Sequence, residues 1–83
     1  MMDRQTLEVK ISEFIADAAD VPPERIGLND NLYKDLGVDS LGSAMLFVDL
    51  AYEFSVPEPK NKEEYIRLDT PQKLIDYVLE SLG

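Results

Sequence analysis

Cysteine and histidine are both missing from the 83 residues. Without cysteine there are no disulfide staples and no thiolate metal sites, and without histidine the usual zinc constellations cannot be assembled either. No imidazole is available as a general base, so any group-transfer chemistry must use a group attached from outside. Basic side chains are scarce, with eight Lys and Arg against seventeen Asp and Glu, giving a formal net charge of −9. A field of that sign repels nucleic-acid phosphates and anionic membrane surfaces, which excludes nucleic acid as a partner and leaves basic protein surfaces as the natural ones. No uninterrupted apolar stretch approaches membrane-spanning length, so no membrane insertion is expected. The opening Met1-Met2-Asp3-Arg4-Gln5 lacks the basic cluster and apolar run of a leader, and the expected location is cytoplasmic. Repeats, low-complexity tracts and Gly/Ser linkers are absent, so residues 1–83 read as one small monomeric domain with one core. A piece excised from a larger protein would read the same way.

What is present is helical. Leu7, Ile11, Phe14, Ile15 and Ala18 recur at helical spacing behind Asp3 as an N-cap, predicting a first helix over most of residues 4–19 that ends at Val21-Pro22-Pro23. The stretch from Pro22 to Asp39 is rich in turn formers, namely Gly27, Asn29, Asp30, Asn31 and Gly37. Ile26, Leu28, Leu32 and Leu36 punctuate it as anchors, so it reads as a long ordered loop, and a loop of that length in a compact domain points to function. Leu41 to Phe54 forms the second helix, stopping before Pro57-Glu58-Pro59. Asn61 and Glu64 make a capping-box pattern for a short third helix offering Tyr65, Ile66 and Leu68. Thr70-Pro71 opens the last helix, whose stripe is Leu74, Ile75, Val78 and Leu82. The fold class is all-α: a small bundle of three longer helices plus one short helix, with the long loop between the first two.

The chemistry converges on Asp35-Leu36-Gly37-Val38-Asp39-Ser40-Leu41, which places a serine where the loop becomes the second helix. As an N-cap, Ser40 would accept a hydrogen bond from the first turn, and the helix dipole would favour negative charge attached to it. Gly37 permits close approach or an unusual dihedral just upstream. Asp39 adds a carboxylate that a Mg²⁺-dependent modifying enzyme or a basic partner could contact. A catalytic serine is not expected: Val38 stands where a nucleophile elbow wants glycine, no histidine can serve as base, and nothing supplies a desolvated pocket for Lys34. The oxygen donors Asn29, Asp30, Asn31, Asp35 and Asp39 lack the ligand alternation and central glycine of an EF-hand. On the second helix, Leu46, Phe47, Leu50 and Phe54 share one face while Leu41, Ala44, Met45, Val48 and Tyr52 share nearly the opposite one. The bulkier face is expected inward, leaving the other strip exposed beside Ser40 as a contact surface.

The motif, together with size, acidity and helix layout, resembles the acyl carrier protein family across nearly the whole chain. The resemblance implies a non-enzymatic carrier bearing covalent 4′-phosphopantetheine from coenzyme A on Ser40, with Asp39 beside it, and holding acyl groups as thioesters. It implies a phosphopantetheinyl transferase and acyl-transferring and acyl-modifying enzymes as partners, serving fatty acid, polyketide or specialised lipid synthesis. Partner contacts fall on Asp35, Asp39, Leu41, Met45, Val48, Asp49 and Tyr52, and an acyl chain could be sheltered among Phe47, Leu50, Ile66 and Leu79. The chain departs from the common family pattern in having Gly42 after the Ser-Leu pair, and only Asp49 and Glu53 flanking the strip, where fatty-acid carriers place an acidic row. Gly37-Val38-Asp39-Ser40 lacks the second glycine of peptidyl carriers. A D-alanyl carrier and an unmodified helical interaction module remain open on the residues alone.

Overall fold

In the computed structural model the described residues, 3–82, form helices and no strand. Met1, Met2 and Gly83, which belong to the opening pentapeptide and to the 1–83 span read from the sequence, lie outside the described residues. The elements are α1 (Arg4–Ala19), a single 3-10 turn (Pro23–Arg25), α2 (Ser40–Phe54), α3 (Lys62–Arg67) and α4 (Pro71–Leu82).

Local chemistry sets each boundary. The Asp3 carboxylate accepts from the Thr6 amide at 2.8 Å and starts α1. Asp20 ends it in the left-handed region (φ 58°), and the amides of Asp20 and Val21 both donate to the Ala16 carbonyl. Asn61 caps α3 through the Glu64 amide at 3.0 Å, while the Glu64 side chain reaches back to the Lys60 amide at 2.8 Å, one residue short of a standard capping box. Thr70 Oγ1 accepts from the Lys73 amide at 3.2 Å ahead of Pro71, the first residue of α4.

The core is one contiguous cluster. Leu7, Ile11 and Ile15 of α1 meet Leu46, Phe47, Leu50 and Phe54 of α2 and Leu74, Ile75 and Val78 of α4, with Leu32, Val38, Val56 and Leu68 closing it from the connections. Burying each such side chain contributes about 1.5–3 kcal/mol before conformational entropy is counted. Edge-to-face aromatic pairs add shape: Phe14 with Phe54 at 6.4 Å between centroids, and Phe47 with Tyr65 at 4.9 Å.

Two apolar residues assigned inward from the sequence face outward. Leu28 is exposed on the long loop, and Leu82 is exposed in the last turn of α4, at the end of the chain's last helix. The loop is nevertheless ordered by a hydrogen-bond net. Asn31 Oδ1 accepts from the Tyr33 and Lys34 amides, and the Asp35 carboxylate accepts from the Asn31 amide at 2.7 Å. Backbone bonds from Leu32 to the Asp69 carbonyl and from Gln72 to the Leu28 carbonyl tie the loop to the start of α4. Buried Leu32 is thus its main anchor, with Ile26 and Leu36 half-buried beside it.

Candidate functional site

The loop delivers its last residues to the start of α2. Gly37 adopts φ +76°, a conformation that side-chain-bearing residues rarely take, and Val38 then turns into the core with its amide bonded to the Leu32 carbonyl at 2.9 Å. The cap of α2 is Asp39, not Ser40. The Asp39 carboxylate accepts from the Gly42 amide at 2.7 Å and its carbonyl accepts from the Ser43 amide at 2.8 Å, making Ser40 the first residue of the helix proper. The reason is chemical: a carboxylate fixed one residue earlier is a stronger acceptor than a hydroxyl and complements the dipole. Because of this shift, the Ser40 hydroxyl makes no hydrogen bond among the described residues, and Ser40 is exposed at the positive end of a fifteen-residue helix.

Gly42 fits a narrow space. A Cβ there would lie 3.1 Å from the Ala18 carbonyl oxygen and 3.2 Å from the Asp39 carboxylate, so the first turn of α2 sits directly against the last turn of α1. Lys10 and Glu53 pair across the same two helices at 3.1 Å.

An open groove of about 430 Å³ begins at Ser40 and runs between α2 and α3, past Tyr33, Ser43, Ala44, Tyr65 and Ile66. Ser43 is the one buried polar residue of the described chain, and its hydroxyl pairs with the Tyr33 hydroxyl at 3.1 Å. Sequence reading missed this pair, although a serine one turn after Ser40 on the inward side of α2 was the available signal. Of the residues assigned to an acyl shelter, Phe47 and Leu50 are core, Leu79 is half-buried, and Ile66 is exposed on the groove wall. They do not line one common space, because Phe47 is covered by the ring of Tyr65.

The strip on the other side of α2 is open. Leu41 is 70 %, Met45 59 %, Val48 52 % and Tyr52 89 % exposed, and Asp49 is exposed beside them. Asp35 lies apart from the strip with its carboxylate engaged by its own turn. Among the described residues no cluster of three or more acidic side chains could hold a metal ion. No helix among them is long and apolar enough to cross a membrane.

The comparisons with known proteins agree with this geometry. The family described as "Phosphopantetheine attachment site" matches residues 9–78. An acyl carrier protein of Thermosynechococcus vestitus is 31 % identical over 77 residues, which cover 93 % of each chain. Among solved structures, the apo doublet acyl carrier protein from prodigiosin biosynthesis superposes with a TM-score of 0.76 at 25 % identity, over 92 % of this chain and 36 % of that one. The chain belongs to the phosphopantetheine-binding acyl carrier protein family. It is a carrier and not an enzyme, and its prosthetic group is covalent 4′-phosphopantetheine. The residues at the head of α2 fit that group: an unengaged exposed hydroxyl, the positive end of a helix dipole already capped by Asp39, and an adjoining groove able to take a slender arm.

Proposed function

We propose that Ser40 is the attachment residue, and that the chain delivers acyl groups between the enzymes of a fatty acid, polyketide or specialised lipid pathway. The observation that carries this reading is the division of labour at the head of α2. Asp39 satisfies the helix end, so the Ser40 oxygen is left exposed and unbonded for transfer from coenzyme A. Once attached, the group supplies a terminal thiol that holds acyl units as thioesters. This chain then positions the arm: α2, packed on α1, holds Ser40 in place, and its dipole stabilises the phosphodiester negative charge. A docked enzyme sees a high effective concentration of tethered substrate.

The exposed strip of Leu41, Met45, Val48 and Tyr52 supports docking by apolar contact, with Asp39 and Asp49 as its acidic fringe and Asp35 set apart from it. Glu53, the other acid near the strip, is already engaged by Lys10. The partners of this reading are a phosphopantetheinyl transferase and acyl-handling enzymes with apolar docking patches. Apo protein treated with coenzyme A and a promiscuous phosphopantetheinyl transferase should gain the mass of one phosphopantetheine, and Ser40→Ala should gain none. A folded wild-type protein that stays unlabelled refutes the attachment. Met45→Glu should weaken binding to a dedicated partner, and a steep loss of wild-type affinity with salt would contradict apolar docking.

A further inference from the structure

The space beside Ser40 is unlike a hydrocarbon sheath. Tyr65 lines it, and the ring of Tyr65 stands edge-to-face against buried Phe47 at 4.9 Å, between Phe47 and the groove. Neither Phe47 nor Leu50 lines the groove, so the groove stops short of the core. Its lining includes two hydroxyls, those of Tyr33 and Ser43, 3.1 Å apart. Two hydroxyls carry two protons, and their mutual bond uses one. Neither makes another side-chain hydrogen bond among the described residues, so one O–H is left to donate toward the groove. A saturated chain laid over this pair would cover that donor without satisfying it, whereas a carbonyl or hydroxyl oxygen on the cargo would accept it.

We infer that this carrier holds a short, oxygen-bearing acyl group in the external groove between α2 and α3, recognised by the Tyr33–Ser43 hydroxyl pair, and that the Phe47–Tyr65 contact bars a long saturated chain from the helical interior. The inference rests on attachment at Ser40 and specifies the cargo of that site. It assigns Tyr33 and Ser43 to cargo selection and Phe47 to exclusion.

The test uses holo protein carrying hydrolysis-resistant amide analogues of a 3-oxobutyryl and an octanoyl group, with loading verified by intact mass before any spectrum is taken. Failure to load at Ser40 defeats the attachment reading and is seen at that step. With loading established, nuclear magnetic resonance reads the cargo's position. The 3-oxobutyryl form should shift the amides of Ser43, Tyr65 and Ile66, and those shifts should be lost in Ser43→Ala and Tyr33→Phe. The octanoyl form should leave the methyl signals of Leu50, Leu74 and Ile75 unmoved in the wild type and displace them in Phe47→Leu, or in Tyr65→Leu if the first variant does not fold. Core methyls that move in octanoylated wild type overturn the inference, as do groove shifts that survive removal of both hydroxyls.

Discussion

Gly42→Ala sets two effects of similar size against each other, and the structure decides between them. In an exposed helix interior, replacing glycine by alanine stabilises by about 0.5–1 kcal/mol through backbone entropy. Gly42 is in the first turn of α2, where a new Cβ would stand 3.1 Å from the Ala18 carbonyl oxygen, 3.2 Å from the Asp39 carboxylate and 3.4 Å from a Val38 methyl. The Ala18 oxygen is backbone in the last turn of α1 and cannot swing aside as a side chain would. Relief therefore requires α1 and α2 to separate by a few tenths of an ångström and, for the second contact, the Asp39 carboxylate to shift on the Gly42 amide. The first amounts to overpacking, at about 1–3 kcal/mol, and the second to a weakened cap, at up to about 1 kcal/mol. Set against the entropic gain, the net expectation is a destabilisation of about 1–2 kcal/mol. For a domain of this size that lowers the melting temperature by roughly 5–15 °C. Calorimetry or urea unfolding measures it directly. A Gly42→Ala protein as stable as the wild type would refute the argument that close approach, and not chance, accounts for glycine at this position.

The other glycine of the motif answers to a different cause. Gly37→Ala has nothing within 4 Å to strike but must hold φ +76°, so a loss of about 1 kcal/mol is expected from backbone strain alone, and Gly37→Asn should recover part of it in the same unfolding experiment. Asp39→Ala leaves the Gly42 amide uncapped and should cost about 0.5–2 kcal/mol, with amide exchange accelerated in the first turn of α2; unchanged exchange there would exclude Asp39 as the cap. Hydrogen bonds from the Thr6 backbone amide and side chain hold the Asp3 carboxyl below its ordinary value of 3.8, so the folded state binds its proton less readily than the unfolded one. The associated stability is present above that value and is lost as pH falls through the lower, folded one. An Asp3→Ala variant should show a correspondingly shallower decline of melting temperature in acid. Burial first, then Glu64 and Tyr65, raises the Tyr77 hydroxyl above 10.0. Its contribution is therefore complete below that pH and fades as pH rises through the folded value, a phase that Tyr77→Phe should remove.

Much of the bundle was legible because its signals are local. Asp3, Asn61 and Thr70 announce helix starts through side chains that can reach an amide three residues on, and each does so. The two faces of α2 separate by periodicity alone, and burial follows that division. Signals that depend on distant chain segments were not legible. Leu28 resembles Leu32 in sequence, and the backbone of each is bonded to the segment that opens α4, yet only the Leu32 side chain is buried. Nor could spacing foretell that Tyr33 would reach Ser43, or that Tyr65 from α3 would stand against Phe47, since both contacts join elements separated by loops.

The one-residue difference in the cap of α2 has a chemical consequence. A serine at the cap would spend its oxygen lone pair on the Gly42 or Ser43 amide, leaving a poorer acceptor for a phosphoryl group and uncapping the helix whenever that group was attached. With Asp39 in that role the helix end is satisfied by a side chain that modification never touches, at 2.7 Å from the Gly42 amide. With attachment at Ser40 as proposed, loading and unloading would leave the helix that presents it intact. Gly42 completes the arrangement, since the same carboxylate would be 3.2 Å from any Cβ at that position. On the proposed attachment at Ser40, the pattern Asp-Ser-Leu-Gly thus separates tasks between neighbouring residues: Asp39 holds the helix, Ser40 offers the oxygen, Leu41 stands exposed on the strip, and Gly42 makes room for α1.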